Sequence, residues 1–325
     1  SLLPGENSVV VKDPGWVLNP LQNPIFEPVL WRTAFLFIAG YFLVVLLNSG
    51  FKDVWDSNVG RRYLSWLWIA PFYLATVFLG GTTSLVFLLL VMLVATWEYQ
   101  RVSNLPRPYA WALYLLSILS VYVTSYETTW FYSLPLIYFT TLTGVGIHSD
   151  DDEAFGHVAG TLFFSIWVLF SLCHFIRLGH LNNALDFTKS LLILIGFAVP
   201  LSDIGAYLVG NWMYKKNVFT TRIAERISPN KTYGGILGNI LGAGAGIALL
   251  WFTLQAYFPV WVWVVLACII GFNAVLGDLT ESMVKRHYDV KDSSSLIPGH
   301  GGVLDRIDSS VRVILAVFYL LQLLL

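Results

Sequence analysis

Between Ser282 and Asp308 the chain runs SMVKRHYDVKDSSSLIPGHGGVLDRID, with Asp278 just upstream. In this stretch Lys285, Arg286, Lys291 and Arg306 alternate with Asp292, Asp305 and Asp308, and Ser282, His300 and the glycines 299, 301 and 302 stand among them. Carboxylates are hard oxygen ligands suited to magnesium, which keeps several waters and bridges protein oxygens to substrate phosphates. Lysine and arginine supply charge and donors for the remaining phosphate oxygens, and glycine lets backbone approach a ligand closely. These are the parts of a metal-assisted phosphoryl or nucleotidyl transfer site. Helical spacing places Asp278, Glu281, Ser282 and Lys285 along one face. A juxtamembrane basic cluster that attracts anionic headgroups would use the same lysines and arginines. Asp278 favours the site, because a carboxylate directly after an apolar run is costly unless paired, ligated or hydrated. Taken singly, His300 fits a structural histidine and the glycines fit turns.

Membrane helices must position these groups. The 325 residues are 56% hydrophobic, 16% aromatic and only 12% charged, outside the range of soluble domains. Ten segments approach the length that crosses about 30 Å of hydrocarbon: 33–49, 63–79, 82–98, 109–125, 130–147, 157–176, 190–210, 233–256, 259–277 and 309–325. The expected fold is all-α and polytopic, with about ten transmembrane helices and a cytoplasm-facing polar cavity. Residues 1–190 form an N-terminal set of helices and 191–325 the catalytic region. Sorting the 19 Lys and Arg between alternate loops gives 15 against 4, which puts the Ser282–Asp308 stretch on the cytoplasmic side. Without residues 277–308 the bias is still 11 against 4. A net charge of -1 gives no sign of a nucleic-acid partner. Cys173 and Cys268 lie in apolar runs as small hydrophobes, so no disulfide is expected. The first 20 residues lack the pattern of a cleavable signal, and the first apolar span serves as the insertion signal.

The order Ser282, Lys285-Arg286, Lys291-Asp292, Ser294, Ile297-Pro298, His300-Gly301-Gly302, Asp305-Arg306 and Asp308 resembles the signature of phosphatidate cytidylyltransferases, the CDP-diacylglycerol synthases. Two further stretches agree: DIGAYLVG from Asp203 to Gly210, which includes Tyr207, and SPNKTYGG from Ser228 to Gly235. The family's Trp-Glu-Gly after Lys-Thr is here Tyr233-Gly234-Gly235, without the carboxylate. The specific resemblance runs from about Pro200 to Asp308.

This resemblance implies that a phosphatidate oxygen attacks the α-phosphorus of CTP, giving CDP-diacylglycerol and pyrophosphate. It assigns magnesium, with room for a second cation, to Asp278 and Asp305. Lys285, Arg286, Lys291 and Arg306 stabilise phosphate charge, and His300 positions phosphate. Ser282, Asp292, Asp308, Asp203 and Tyr207 contact substrate, with Asp203 open between metal, cytosine and lysine. Ser228, Lys231 and Thr232 form a phosphate contact or the start of the next helix, and one segment can do both. The implied partners are CTP and phosphatidate within membrane lipid, with no nucleic acid, and a homodimer is compatible. Other lipid phosphates as acceptor, or a non-catalytic lipid-phosphate binder or transporter, are the competing readings. Gly238, Gly242 and Gly246 recur every four residues, the spacing of close helix packing. The acidic loop 148–157 is a hydrated surface outside the site.

Overall fold

The computed structural model describes residues 19–47, 57–126, 129–179, 181, 185–297, 299 and 301–324. Each apolar segment expected from the sequence coincides, over its described residues, with a helix: α1 (Phe26–Leu47), α2 (Asn58–Leu79), α3 (Gly81–Val102), α4 (Arg107–Tyr126) and α5 (Leu134–His148) in the first half. Then α6 (Ala154–Phe164) continues through a π-helical turn at Ser165–Phe170 into α7 (Ser171–Leu178), making one rod. The second half holds α8 (Leu185–Lys215), α9 (Tyr233–Leu254), α10 (Val260–His287) and α11 (Leu304–Leu324). Among the described residues, eight rods are long and apolar enough to cross a bilayer, against the ten expected. The two outside that set are α2, which carries Arg61, Arg62 and Pro71, and α5. At 15 residues, α5 rises only about 22 Å.

One element had no counterpart in the sequence reading. An antiparallel hairpin of β1 (Arg222–Ala224) and β2 (Ser228–Thr232) links α8 to α9, with Arg222 opposite Thr232 and Ala224 opposite Ser228. Thr232 then N-caps α9, its hydroxyl accepting from Gly235 N at 3.3 Å.

Helices α8 to α11 are packed backbone against backbone. A Cβ added to Gly246 would lie 2.7 Å from Ala198 Cα, and one on Gly242 would lie 2.9 Å from Ser202 Cα and still closer to the Leu201 carbonyl. Gly271 on α10 meets Ile240 of α9 in the same way, at 2.6 Å. Gly277 meets Ser309 of α11 at 2.7 Å. Small residues at such contacts maximise dispersion between helices, where lipid offers no hydrophobic drive for association. Polar bonds reinforce the joins: Asn239 Nδ2 donates to Ser202 Oγ at 2.8 Å, and Ser309 Oγ donates to the Ala274 carbonyl at 3.1 Å.

Both cysteines are free, Cys173 buried and Cys268 exposed. In the acidic loop, Asp151 bonds His157 Nδ1 at 2.7 Å and accepts from Glu153 N at 3.0 Å. The histidine is the first cause of the lowered Asp151 pKa. Asp151 and His157 thus pair within the turn that starts α6.

Candidate active site

Asp278, Glu281 and Lys285 fall on successive turns of α10, so one helix face carries all three into a cavity of about 630 Å³. Asp305, Arg306 and Asp308 enter from the first turns of α11, and Asp203 from α8. Lys291, Asp292, Ser294, Ile297, Gly299 and Gly301 come from the connecting loop. The deep carboxylates Glu281, Asp305 and Asp308 are buried, whereas Lys291 and Asp292 are exposed at the mouth. Asp203 is exposed to the cavity.

Asp305 is the post to which the loop is tied. Its Oδ1 accepts from Lys285 Nζ at 2.7 Å, and its Oδ2 accepts from Ser293 N at 2.9 Å and Gly302 N at 2.6 Å. Lys285 also bonds Glu281 at 2.6 Å, so one ammonium bridges a carboxylate of its own helix to one of α11. The backbone bond from Ile297 N to Gly301 O, 2.8 Å, closes the loop, and Gly301 holds φ +82°. Only glycine fits there: a Cβ would come 3.0 Å from Asp305 Cγ.

Lys231 of β2 forms an ion pair with Asp278. Burial acts to lower the lysine pKa, but Asp278, with Asp203 and Asp308 beyond it, reverses this and raises it. Asp203, Asp278, Asp308 and Lys231 lie within electrostatic reach of one another, and Arg306 within reach of Asp203 and Asp308. Arg306 keeps its Nε buried with no hydrogen-bond partner among the described residues, a donor in want of an acceptor.

Several expected site residues lie elsewhere. Arg286 is exposed and does not line the cavity, because it is about 100° round the helix from Lys285. Ser282 bonds Asp278 Oδ1 at 3.4 Å from outside the lining, and Tyr207 is exposed one turn beyond Asp203. Ser228 starts the hairpin strand and Thr232 caps α9, so within SPNKT only Lys231 reaches the carboxylates. His300 lies outside the described residues. At the Gly234 departure a side chain would meet Met213 Cβ at 3.2 Å and the Phe219 carbonyl at 3.3 Å.

The first half supplies groups that the motif reading missed. Glu98 of α3 is fully buried and accepts three bonds from the loop: Ser294 Oγ at 2.6 Å, Val303 N at 2.8 Å and Leu304 N at 2.7 Å. It thereby satisfies the orphan donors at the start of α11 and places a negative charge at that helix N-terminus. The signal for it was a lone carboxylate near the end of an apolar run. From α2, Arg61, Arg62 and Trp66 line the cavity, and Arg62 Nε donates to the Gly299 carbonyl at 3.1 Å.

A sequence model of the cytidylyltransferase family matches residues 60–324, from the first turn of α2 to the end of α11. The chain belongs to the cytidylyltransferase family. Its match to the family therefore takes in Arg61, Arg62 and Glu98 as well as the motif region. The chain is similar to proteins named phosphatidate cytidylyltransferase. The one from Synechocystis sp. is 42% identical over 140 residues, 42% of this chain and 45% of that protein. The one from Bacillus subtilis is 39% identical over 122 residues, 38% and 44% of the two chains. That of Staphylococcus aureus is 40% identical over 124 residues, 38% and 45%. In these alignments the cytidylyltransferase-family chain spans a little under half the length of each relative.

Proposed function

We propose that this member of the family is a CTP:phosphatidate cytidylyltransferase with its site open to the cytoplasm. The observation that carries the reading is the single cavity in which the acidic residues of α8, α10 and α11 meet Lys285, Arg306 and Lys291 beside apolar helices. Such a cavity suits one polar, polyanionic substrate and one that comes from lipid. The relatives' names supply the chemistry: an oxygen of the phosphatidate phosphate bonds to the α-phosphorus of CTP, and the bond from that phosphorus to the bridging oxygen breaks. The electron pair leaves with pyrophosphate. No strong general base is needed, since the nucleophile is already anionic near neutral pH.

The residues present fit a magnesium ion. Asp203, Asp278, Glu281, Asp305 and Asp308 outnumber the cations Lys231, Lys285 and Arg306 around the same floor. Among the described residues no three such side chains stand close enough to enclose an ion alone. That suits magnesium, which takes one or two carboxylates and completes its shell with waters and phosphate oxygens. Asp278 and Asp305 would hold it; Asp305 has one lone-pair site left on Oδ1 after its three bonds. When bound, the ion supplies charge stabilisation for the attacking and leaving oxygens. Lys285, held between two carboxylates, and Arg306, which lines the same cavity, supply positive charge to the substrate phosphates.

The direct test is CTP-dependent pyrophosphate release by purified protein in detergent, with phosphatidate and an ether-lipid phosphate compared as acceptors. Release with phosphatidate is expected; its absence across magnesium concentrations refutes the reading. Lys285→Gln should cut kcat on the order of 100-fold, more than it raises KM for phosphatidate. Cysteines at Ser228 and Ser294 should label from the cytoplasmic face, as the 15-to-4 basic bias requires. Labelling of both only from the opposite face overturns the sidedness.

A further inference from the structure

We infer that Arg61 and Arg62, at the first turn of α2, form the seat for the phosphate of the lipid substrate. The inference rests on the proposed reaction for the identity of that lipid, and on the geometry of α2 for the seat. Both arginines line the cavity, where Arg61, Arg62 and Lys291 are exposed at its mouth above the buried carboxylates of the floor. The rim is therefore net cationic, three cations against Asp292, over a floor whose carboxylates outnumber its cations. A phosphate is drawn to the rim and repelled by a floor that carries no metal.

Helical phase shows why the phosphate seated there belongs to a lipid. Arg62 and Trp66 are four residues apart, on the face of α2 that looks into the cavity. Arg61 shares its stripe with Trp68 and Phe72, seven and eleven residues on, which are 81% and 59% exposed on the apolar outer surface. The two guanidinium groups thus straddle the line where the lipid-facing surface turns into the polar cavity. A phosphatidate molecule that keeps its acyl chains in the bilayer must carry its phosphate across that line. Arginine suits this place, because its planar fork pairs bidentately with phosphate oxygens and its charge is weakly hydrated.

The loop geometry ties this seat to the site. Gly299 has φ +74°, and a Cβ there would come 2.9 Å from Arg61 Cβ and 3.2 Å from Arg62 N. The first turn of α2 therefore rests directly on the motif loop. The bond from Arg62 Nε to the Gly299 carbonyl uses one of the five N–H donors of the guanidinium and fixes its plane at the mouth. A lipid phosphate bound by these arginines stands over the loop that carries Lys291 and is tied to Asp305.

The experiment has a binding arm and a kinetic arm. Binding of phosphatidate without CTP is measured by displacement of a fluorescent phosphatidate analogue from detergent-solubilised protein. The proteins are wild type, Arg61→Gln, Arg62→Gln and the two Lys variants. Arg61→Gln leaves the Arg62–Gly299 bond in place. Expected are a tenfold or greater loss of phosphatidate affinity in the Gln variants, partial recovery in the Lys variants, and a matching rise in KM for phosphatidate. KM for CTP should stay within about twofold of wild type. Unchanged phosphatidate binding in Arg61→Gln and Arg62→Gln overturns the seat. A rise in KM for CTP alone overturns it in favour of a nucleotide contact, and a fall in kcat with both KM values unchanged reduces the arginines to loop supports. Wild-type protein that binds phosphatidate and loses it in the Gln variants, but releases no pyrophosphate, upholds the seat while refuting the transferase.

Discussion

Replacing Glu98 by Gln tests whether a buried carboxylate in the first half of the chain positions the motif loop. The side chain keeps its shape, but one acceptor oxygen becomes an NH2 group that faces a backbone N–H. Glu98 Oε1 serves Ser294 Oγ and Val303 N, and Oε2 serves Leu304 N, all within 2.8 Å. With the amide oxygen kept on the Oε1 side, the Leu304 N–H is left buried and unpaired. Losing a charge-assisted bond and stranding its donor costs about 2–4 kcal/mol locally. At 1.4 kcal/mol per decade, protection of the Val303 and Leu304 amides from hydrogen exchange should fall roughly 30- to 700-fold. The first turn of α11 carries Asp305 and Arg306, so a shift near 1 Å there should slow CTP-dependent pyrophosphate release on the order of 100-fold. The assay pairs hydrogen exchange over residues 293–308 with turnover, in the same detergent. A Gln variant with wild-type protection at Val303 and Leu304 and wild-type turnover would refute the reasoning.

Asp278→Asn and Asp305→Asn should each remove most magnesium-dependent turnover, but only Asp305→Asn should also speed exchange at Ser293 and Gly302, whose amides it holds; normal turnover in both sinks the metal assignment. Because the Lys231 pKa is raised above 10.5, the stability from its pair with Asp278 is fully present below the free lysine value and is lost as pH climbs through the raised one. Melting temperatures from pH 7 to 11 should show wild type holding a constant lead over Lys231→Met that shrinks only at the alkaline end, and a lead lost near neutrality contradicts the pairing. Gly242→Ala should destabilise by about 1–3 kcal/mol through overpacking, whereas Gly244→Ala, whose nearest neighbour would be Ala267 Cβ at 3.8 Å, should be tolerated; equal thermal unfolding of the two argues against backbone contact between α8 and α9.

Local regularities were legible because their period is written in the chain. Eight of the ten apolar segments stand as rods long and apolar enough to cross a bilayer; of the expected α10 face Asp278, Glu281 and Lys285 line the cavity while Ser282 does not, and the four-residue glycine series on α9 packs as its spacing implies. That same spacing separates Arg286 from Lys285, although the motif joins them as neighbours. Glu98, Arg61 and Arg62 were illegible as site residues because they reach the loop from about 200 residues away, through tertiary contacts that no local pattern encodes. The hairpin was hidden for a different reason. SPNKT contains no apolar alternation, and it pairs with only three residues of β1.

Contact between α8 and α9 through bare backbone also decides which parts of the molecule can move. Where two rods touch through side chains, rotamer changes can absorb a small shift. At Gly238, Gly242 and Gly246 no such layer exists, so the two rods translate as one body or not at all. Asp203, midway along this seam, and Lys231, immediately before α9, therefore form a fixed jaw. Any closing over the cavity would fall to the first turn of α2, which rests on Gly299 across from this seam.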